Sequence, residues 1–495
     1  MANKPPPTRH SQRWRVSWLF VFIAIICTPF ADLAISTYDP MAELGRLFSA
    51  LLHPSLNNID NPLNSVFQTI AFALLGVASG CFLGFFLALV FHWRIVRVVC
   101  ALLRAVHELF WALIFLQIFG LHPITGLLAL AIPYAATFAK IYAEIIEESD
   151  HSAYNAIRQH TGLVSAFFYA RLPDLWPHFA SYTRYRFECG LRSSAVLGFV
   201  GLPTLGYYLH SAFLEGQYAQ VWALLGLFYL LIASIRYWLR PLLLPVYLGI
   251  SPFIIANDSV ISFDNIRRFF THDIIPTPIR NNESLANVLH WFSDLFLTEA
   301  LPGIINTLLL TQIALVLSGV IALAFFPFIC RWFFKRPGRS VGHAFLIIIR
   351  STPEYILAFM LLILWGPSML PAVIALALHN GAIIAHLIGH YSNQLNIRID
   401  KPCGLNLYAY EILPRIYGQF LAYIFYRWEI IMRETAILGI LGIATLGFYI
   451  DSAMSDIRLD KAMVLIAITA LLNVGIDMLS RYIRNKFEKP SVFSS

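Results

Sequence analysis

Glu188 and Arg192 stand four residues apart in an otherwise apolar stretch, and Glu429 and Arg433 repeat that spacing 241 positions later. Residues four apart on a helix share a face, so each pair can neutralise itself as a salt bridge. Arg104 with Glu108 and Arg350 with Glu354 repeat the spacing. A charge at membrane depth costs about 2.5–3.5 kcal/mol even on the lenient insertion scale. The four pairs are therefore expected to lock their helices as intramembrane ion pairs rather than to touch a solute. Hydroxyls lie close by: Ser193, Ser194 and Thr204 in the first stretch, Thr435 and Thr445 in the second. Such groups can donate to a passing oxyanion or satisfy carbonyls of their own helices. His386 and His390, at i and i+4 in an apolar run that also holds His379, have a spacing that could hold a metal. No carboxylate accompanies them at suitable spacing, so helix packing is the expected role and no metal is expected. No GxxxxGK[ST] phosphate loop occurs, so the chain does not hydrolyse ATP by that route. It reads as no enzyme and as needing no cofactor of its own.

What must position these residues is a duplicated element. Aligning Arg186 with Arg427 gives thirteen identities over twenty-seven gapless positions, through Ala212 and Ala453. Three of the identities are paired glycines: Gly198, Gly201 and Gly206 with Gly439, Gly442 and Gly447. Their spacing predicts close approach between the corresponding helices of the two halves, where any Cβ would separate the backbones. The hydroxyls of the two halves are then expected to face each other across the axis relating them.

Of 495 residues, 58% are hydrophobic and 13% charged, against roughly 25% charged in an ordinary soluble domain. With many apolar runs near the length that crosses a bilayer, the chain is expected to be an all-α polytopic membrane protein. About twelve transmembrane helices are expected, as two parallel repeats of about six. The net charge of +7 sits mainly between apolar runs, which reads as orientation by the positive-inside rule and not as a nucleic-acid patch. Membrane lipid is the implied surrounding. Five of the six cysteines lie in or beside apolar runs and none forms a CxxC pair, so neither disulfides nor a zinc site is indicated.

In chain order, residues 1–15 form a basic tail on the cytoplasmic side, and 16–240 the first repeat. Its spans are expected near Val16–Ile35, Val66–Phe91, Leu103–Phe119, Ile124–Ile145, the duplicated stretch and Ala219–Ser234. Residues 241–300 connect the halves, with a short span at Leu242–Ala256 and an external stretch. The second repeat core is 301–489, with spans near Ile304–Ile329, Ala344–Leu364, Pro371–Gly389, Phe420–Ala453 and Ala462–Leu479, followed by a tail at 490–495. Both termini are then cytoplasmic. Residues 146–177 and 391–415 are polar stretches that end on Leu172-Pro173 and Leu413-Pro414. Tyr154–Tyr169 and its counterpart around Ile397–Ala409 are expected to lie along the inner face as amphipathic segments and to dock in a groove of a partner.

The stretch Arg104–Asp150, with RSSAVLGFVG at 192–201, resembles the permease subunit of phosphonate-type ATP-binding-cassette (ABC) importers. The second half, with Arg350-Ser351-Thr352-Pro353-Glu354, resembles the wider binding-protein-dependent permease family. The resemblance implies two permease units fused in one chain, forming a channel in the bacterial inner membrane. It implies a periplasmic or extracellular substrate-binding protein as donor. Two ATPase subunits, carrying the ATP and Mg, would grip cytoplasmic coupling helices, with Ala156, Gly162 and Pro173 matching in the first half and Gly404 and Pro414 in the second. The cargo implied is a small phosphorus oxyanion of the phosphonate or phosphite class. The subgroup's Gly-Gly-Ile-Gly is here Pro203-Thr204-Leu205-Gly206, which leaves open a permease for another small solute. Parallel repeats alone also permit an ATPase-independent secondary transporter.

Overall fold

The computed structural model describes residues 9–37, 39–57, 59, 61–150, 152–158, 160–256, 260–397 and 402–488. The outermost tail residues, and 398–401 of the expected Ile397–Ala409 segment, lie outside that set. All regular structure among the described residues is helical, so the chain is an all-α polytopic membrane protein. The helices that build the two repeats are, with the leading helix of each, α1 (Arg9–Cys27), α2 (Pro62–Leu89), α3 (Arg94–Ala105), α4 (Glu108–Phe119), α5 (Pro123–Glu148), α6 (Leu172–Val196), α7 (Leu205–Leu214), α8 (Tyr218–Trp238) and α9 (Leu244–Ile255). After them come α10 (Leu301–Phe325), α11 (Arg336–Ser351), α12 (Glu354–Trp365), α13 (Met369–Asn393), α14 (Leu413–Ile440), α15 (Leu446–Ser455) and α16 (Leu459–Glu488). Helices α10–α16 repeat α2–α8 in order.

The chain divides into two compact units, residues 46–274 and residues 1–45 with 275–495. In the first, α2 packs along α5 at very short range. A Cβ on Gly76, Gly80 or Gly84 would meet Leu130, Tyr134 or Phe138 of α5. A small residue at every fourth position is what close helix packing in lipid requires. The second unit has Ala314, Ser318 and Ala322 at the same spacing on α10, all buried. Each unit also holds the leading helix of the other repeat. Helix α1 packs on α10, with Gln312 Nε2 donating to the Phe20 carbonyl at 3.0 Å and Trp14 stacked on Tyr417 at 4.7 Å. Helix α9, which precedes the second repeat, packs on α2.

Seven helices among the described residues are long and apolar enough to cross a membrane, or nine if each of two bent pairs is one span. Not all of the expected twelve meet that criterion, for three reasons. The expected spans Leu103–Phe119 and Ala344–Leu364 are not straight: α3 with α4, and α11 with α12, each bend by 89°. At the second bend Pro353 disfavours helical backbone for Thr352, whose ψ is 120°. At the first, Val106 and His107 are extended, and the His107 imidazole accepts the Leu109 N–H at 3.2 Å, starting α4 afresh. Helices α6 and α14 carry several charges, Arg184, Arg186, Glu188 and Arg192 on one and Arg427, Glu429, Arg433 and Glu434 on the other. Finally α9 has only 12 residues, about 18 Å of helix against a hydrocarbon core of about 30 Å. The segment Leu285–Ile329 instead runs as 45 residues of apolar helix, through a π-type turn at Phe296–Ala300.

Candidate functional site

Each unit holds a polar cluster built at equivalent places. The places are the first residue of the helix after the 89° bend, the middle of the next long helix, and two positions seven apart on the charged helix. In the first unit these are Glu108, Tyr134, Arg186 and Ser193. In the second they are Glu354, Asn380, Arg427 and Glu434.

Ser193 Oγ in the first unit donates to Glu108 Oε1 at 2.7 Å, and its oxygen lies 3.2 Å from the Tyr134 hydroxyl. Arg186 Nε donates to the Tyr182 hydroxyl at 2.7 Å. Its guanidinium sits 5.1 Å from the centre of the Tyr182 ring, with the Tyr185 and Tyr134 rings at 5.8 and 5.9 Å. A guanidinium held by aromatic faces keeps its full charge without a carboxylate to cancel it. Such a cation suits an oxyanion better than a paired one does.

The second unit answers the same geometry with acids and amides. Arg427 Nε donates to Asn380 Oδ1 at 2.7 Å, and Asn380 Nδ2 donates to Glu434 Oε2 at 2.9 Å. The Arg427 and Glu434 charges are 3.8 Å apart. His379 Nδ1 lies 2.9 Å from the Thr352 carbonyl and its Nε2 lies 3.8 Å from Glu354 Oε2. Glu354, His379 and Glu434 could together hold a metal by distance. Glu434 is already bonded by Asn380 and paired with Arg427, so the cluster is satisfied by its own side chains.

Ser193 enters the first cluster, whereas Ser194 donates to the Leu191 carbonyl and Thr435 to the Met432 carbonyl, each back-bonding its own helix. Thr445 Oγ lies 3.4 Å from the Thr435 carbonyl, and the buried Thr204 hydroxyl has no hydrogen-bond partner among the described residues. Arg104 with Glu108 and Arg350 with Glu354 do not share one helix, because the chain turns by 89° between the members of each pair. The face-sharing argument for them therefore fails. Glu188 and Arg192 do share α6, where Glu188 is exposed and Arg192 Nη2 lies 3.9 Å from Cys189 Sγ. Glu429 and Arg433 are half-buried on α14.

Close packing at the repeated glycines occurs inside each repeat. A Cβ on Gly198 would overlap the backbone of Gly206 and Tyr207, and one on Gly206 would overlap Ala195. Gly439 meets Gly447 and Phe448, and Gly447 meets Ala436, in the same way. The glycines thus fold the end of α6 onto α7, and of α14 onto α15. Gly201 and Gly442 make the reversal, at φ 94° and 85°, where a side chain is strained. A threonine secures each hairpin: Leu205 N–H donates to Thr69 Oγ at 2.9 Å and Leu446 N–H to Thr307 Oγ at 3.0 Å.

Ala156 lies exposed on the short helix Ser152–Arg158, Gly162 in the turn after it, and Pro173 exposed in the first turn of α6. The expected single amphipathic segment Tyr154–Tyr169 is thus two short helical pieces. Gly404 is exposed at φ 63° as the first residue of the short helix Gly404–Asn406, and Pro414 is half-buried in the first turn of α14.

Sequence reasoning missed Arg186, Tyr134, Asn380, Arg427 and the two threonine ties. Arg186 and Arg427 were open to view as an identity of the duplication. Tyr134 and Asn380 share no residue type and were not.

The chain is 24% identical over 421 residues to the phosphate-import permease protein PhnE of Mycolicibacterium smegmatis, covering 79% of this chain and 77% of that one. It is 26% identical over 225 residues to the phosphite transport system permease protein PtxC of Stutzerimonas stutzeri, covering 43% of this chain and 82% of that one. It is 34% identical over 103 residues to the cryptic phosphonate transport system permease protein PhnE2 of Escherichia coli, covering 20% of this chain and 84% of that one. No protein-family model and no solved structure matches the chain.

Proposed function

We propose, from the premise that this chain belongs to the permease family of phosphonate-type ABC importers, that it is the channel subunit of such an importer in the bacterial inner membrane. Its two repeats act as the two half-channels that separate permease chains would otherwise supply. The cargo is a small phosphorus oxyanion, phosphonate or phosphite, handed over by an external binding protein. Two partner ATPase subunits drive the cycle and carry the ATP and Mg. Both termini face the cytoplasm.

The observation that carries this reading is similarity that runs through both repeats, over 421 residues, to a protein named as a phosphate-import permease. Arg186 supports it as a half-buried cation with no carboxylate partner among the described residues, in a chain whose relatives are named for phosphorus oxyanions. The short surface helices before α6 and α14 are the parts available to an ATPase. A partner's closure can reach the channel only through contacts that differ between two states.

The test is reconstitution into vesicles with the ATPase and the binding protein of a phosphonate-type importer from the same organism. Phosphonate or phosphite, given with the binding protein, is expected to stimulate ATP hydrolysis and to enter the vesicles. Uptake by the 495-residue chain with no ATPase bound would replace this reading with that of a secondary transporter.

A further inference from the structure

His386 and His390 lie one turn apart near the end of α13, and the fold brings a third histidine against them. His343, on α11, has its ring centre 5.8 Å from that of His386 and 5.5 Å from that of His390, and the latter two rings are 4.5 Å apart. One ligand nitrogen from each lies within 4.8 Å of the other two. Nitrogens bound to one tetrahedral zinc at about 2.0–2.1 Å are somewhat closer together than that, a difference that rotation of the rings supplies. His386 Nδ1 is buried with no hydrogen-bond partner among the described residues, which is costly for an imidazole nitrogen unless something else takes its lone pair or proton.

The first repeat holds other side chains at the equivalent places. Counting 246 positions back, an offset that matches the ends of α3 and α11 and the starts of α5 and α13, His343, His386 and His390 fall on Arg97, Lys140 and Glu144. Lys140 and Glu144 form an ion pair at 3.8 Å. Packing of this helix pair therefore does not call for imidazoles, yet the second repeat holds histidine at all three places where the first holds a charged residue.

We propose that His343, His386 and His390 form a three-histidine site for a divalent transition metal, zinc being the ion the donor set suits. Bound there, the metal ties α11 to α13 on the near side of the 89° bend. The fourth position stays open to water or an anion. Arg350 lies within electrostatic reach of His343 and His386, and Arg339 of His343. Their charges oppose the cation and favour an anionic fourth ligand. The inference does not depend on the cargo or on the ATPase.

The experiment uses the full chain, free of any histidine tag, purified in detergent and dialysed against Zn(II) or Co(II). Expected are one equivalent of zinc per chain by mass spectrometry and the intense visible absorption of tetrahedral Co(II). His390→Gln changes an exposed position, and loss of one ligand is expected to weaken Zn(II) binding at least about 100-fold. The combination His343→Arg, His386→Lys and His390→Glu copies the first repeat. It is expected to fold and to abolish the Co(II) spectrum. The proposal is overturned if the unaltered chain retains no more zinc than the His390→Gln protein, whether both bind or neither does.

Discussion

Ser193 Oγ donates to Glu108 Oε1 at 2.7 Å, and the residue in the place of Ser193 in the second repeat, Glu434, is itself a carboxylate. One position thus sets whether its cluster holds one acid or two. Ser193→Ala takes one hydrogen-bond partner from Glu108 and one from the Tyr134 hydroxyl and is expected to cost about 1–2 kcal/mol. Ser193→Glu places a second carboxylate beside Glu108 where Pro133 stands in the position of His379, and is expected to cost more. Thermal unfolding of the detergent-solubilised chain reads both, and a Ser193→Glu protein as stable as the parent would refute the account of this cluster.

Arg427 and Glu434 make the converse case. With Asn380 they form a chain of charge-assisted hydrogen bonds in a half-buried to buried setting. Arg427→Met leaves Glu434 without its countercharge and is expected to cost about 3–5 kcal/mol, since breaking a buried pair exposes the desolvation it had offset. Adding Glu434→Gln removes the stranded charge and should recover most of that loss. A double-mutant cycle on thermal stability measures the coupling, and additive effects of the two changes would show that the charges do not communicate.

Fold class and duplication were legible because both rest on composition and identity. Apolar runs near 20 residues announce membrane helices, and Arg186–Ala212 repeats in plain sight. The span count was not, because hydropathy averages over the 89° bends at Val106–His107 and Thr352–Pro353 and cannot see them. The polar clusters were half legible. Ser193 and the carboxylates Glu108 and Glu354 drew notice as polar residues in apolar runs. Their true partners come from helices 50 to 90 positions away, as in Ser193 with Glu108 or Asn380 with Glu434. Spacing along one helix cannot report such contacts. His343 escaped for the same reason, being 43 positions before His386.

The repeated glycines yield a prediction that separates two physical reasons for glycine. Gly198→Ala and Gly439→Ala put a methyl group into backbone, where nothing flexible can yield. Both are expected to reduce accumulation of folded protein severely. Gly442→Ala meets open space and suffers only from its φ of 85°, a penalty of about 1–2 kcal/mol. Gly442→Asn, whose side chain tolerates left-handed backbone, should be milder still. Yield and fluorescence-detected size exclusion order the four proteins. Equal tolerance of Gly198→Ala and Gly442→Ala would mean that the α6–α7 hairpin is not closed as described.

Gly162 gives the cleanest separation of partner contact from stability. It is exposed, and a Cβ built there meets nothing within 4 Å, at a φ outside the left-handed range. A tryptophan at this position has no internal neighbour to displace, so thermal stability of the isolated chain should move by no more than about 0.5 kcal/mol. If the turn after the Ser152–Arg158 helix seats an ATPase, the same side chain obstructs that surface. Gly162→Trp is then expected to lower ATPase co-purification and substrate-stimulated hydrolysis together. Gly404 is the poorer probe, because its φ of 63° adds backbone strain to any substitution. Wild-type hydrolysis and co-purification in the Gly162→Trp protein would remove this turn from the coupling surface and leave Pro173 and the first turn of α6 to carry it.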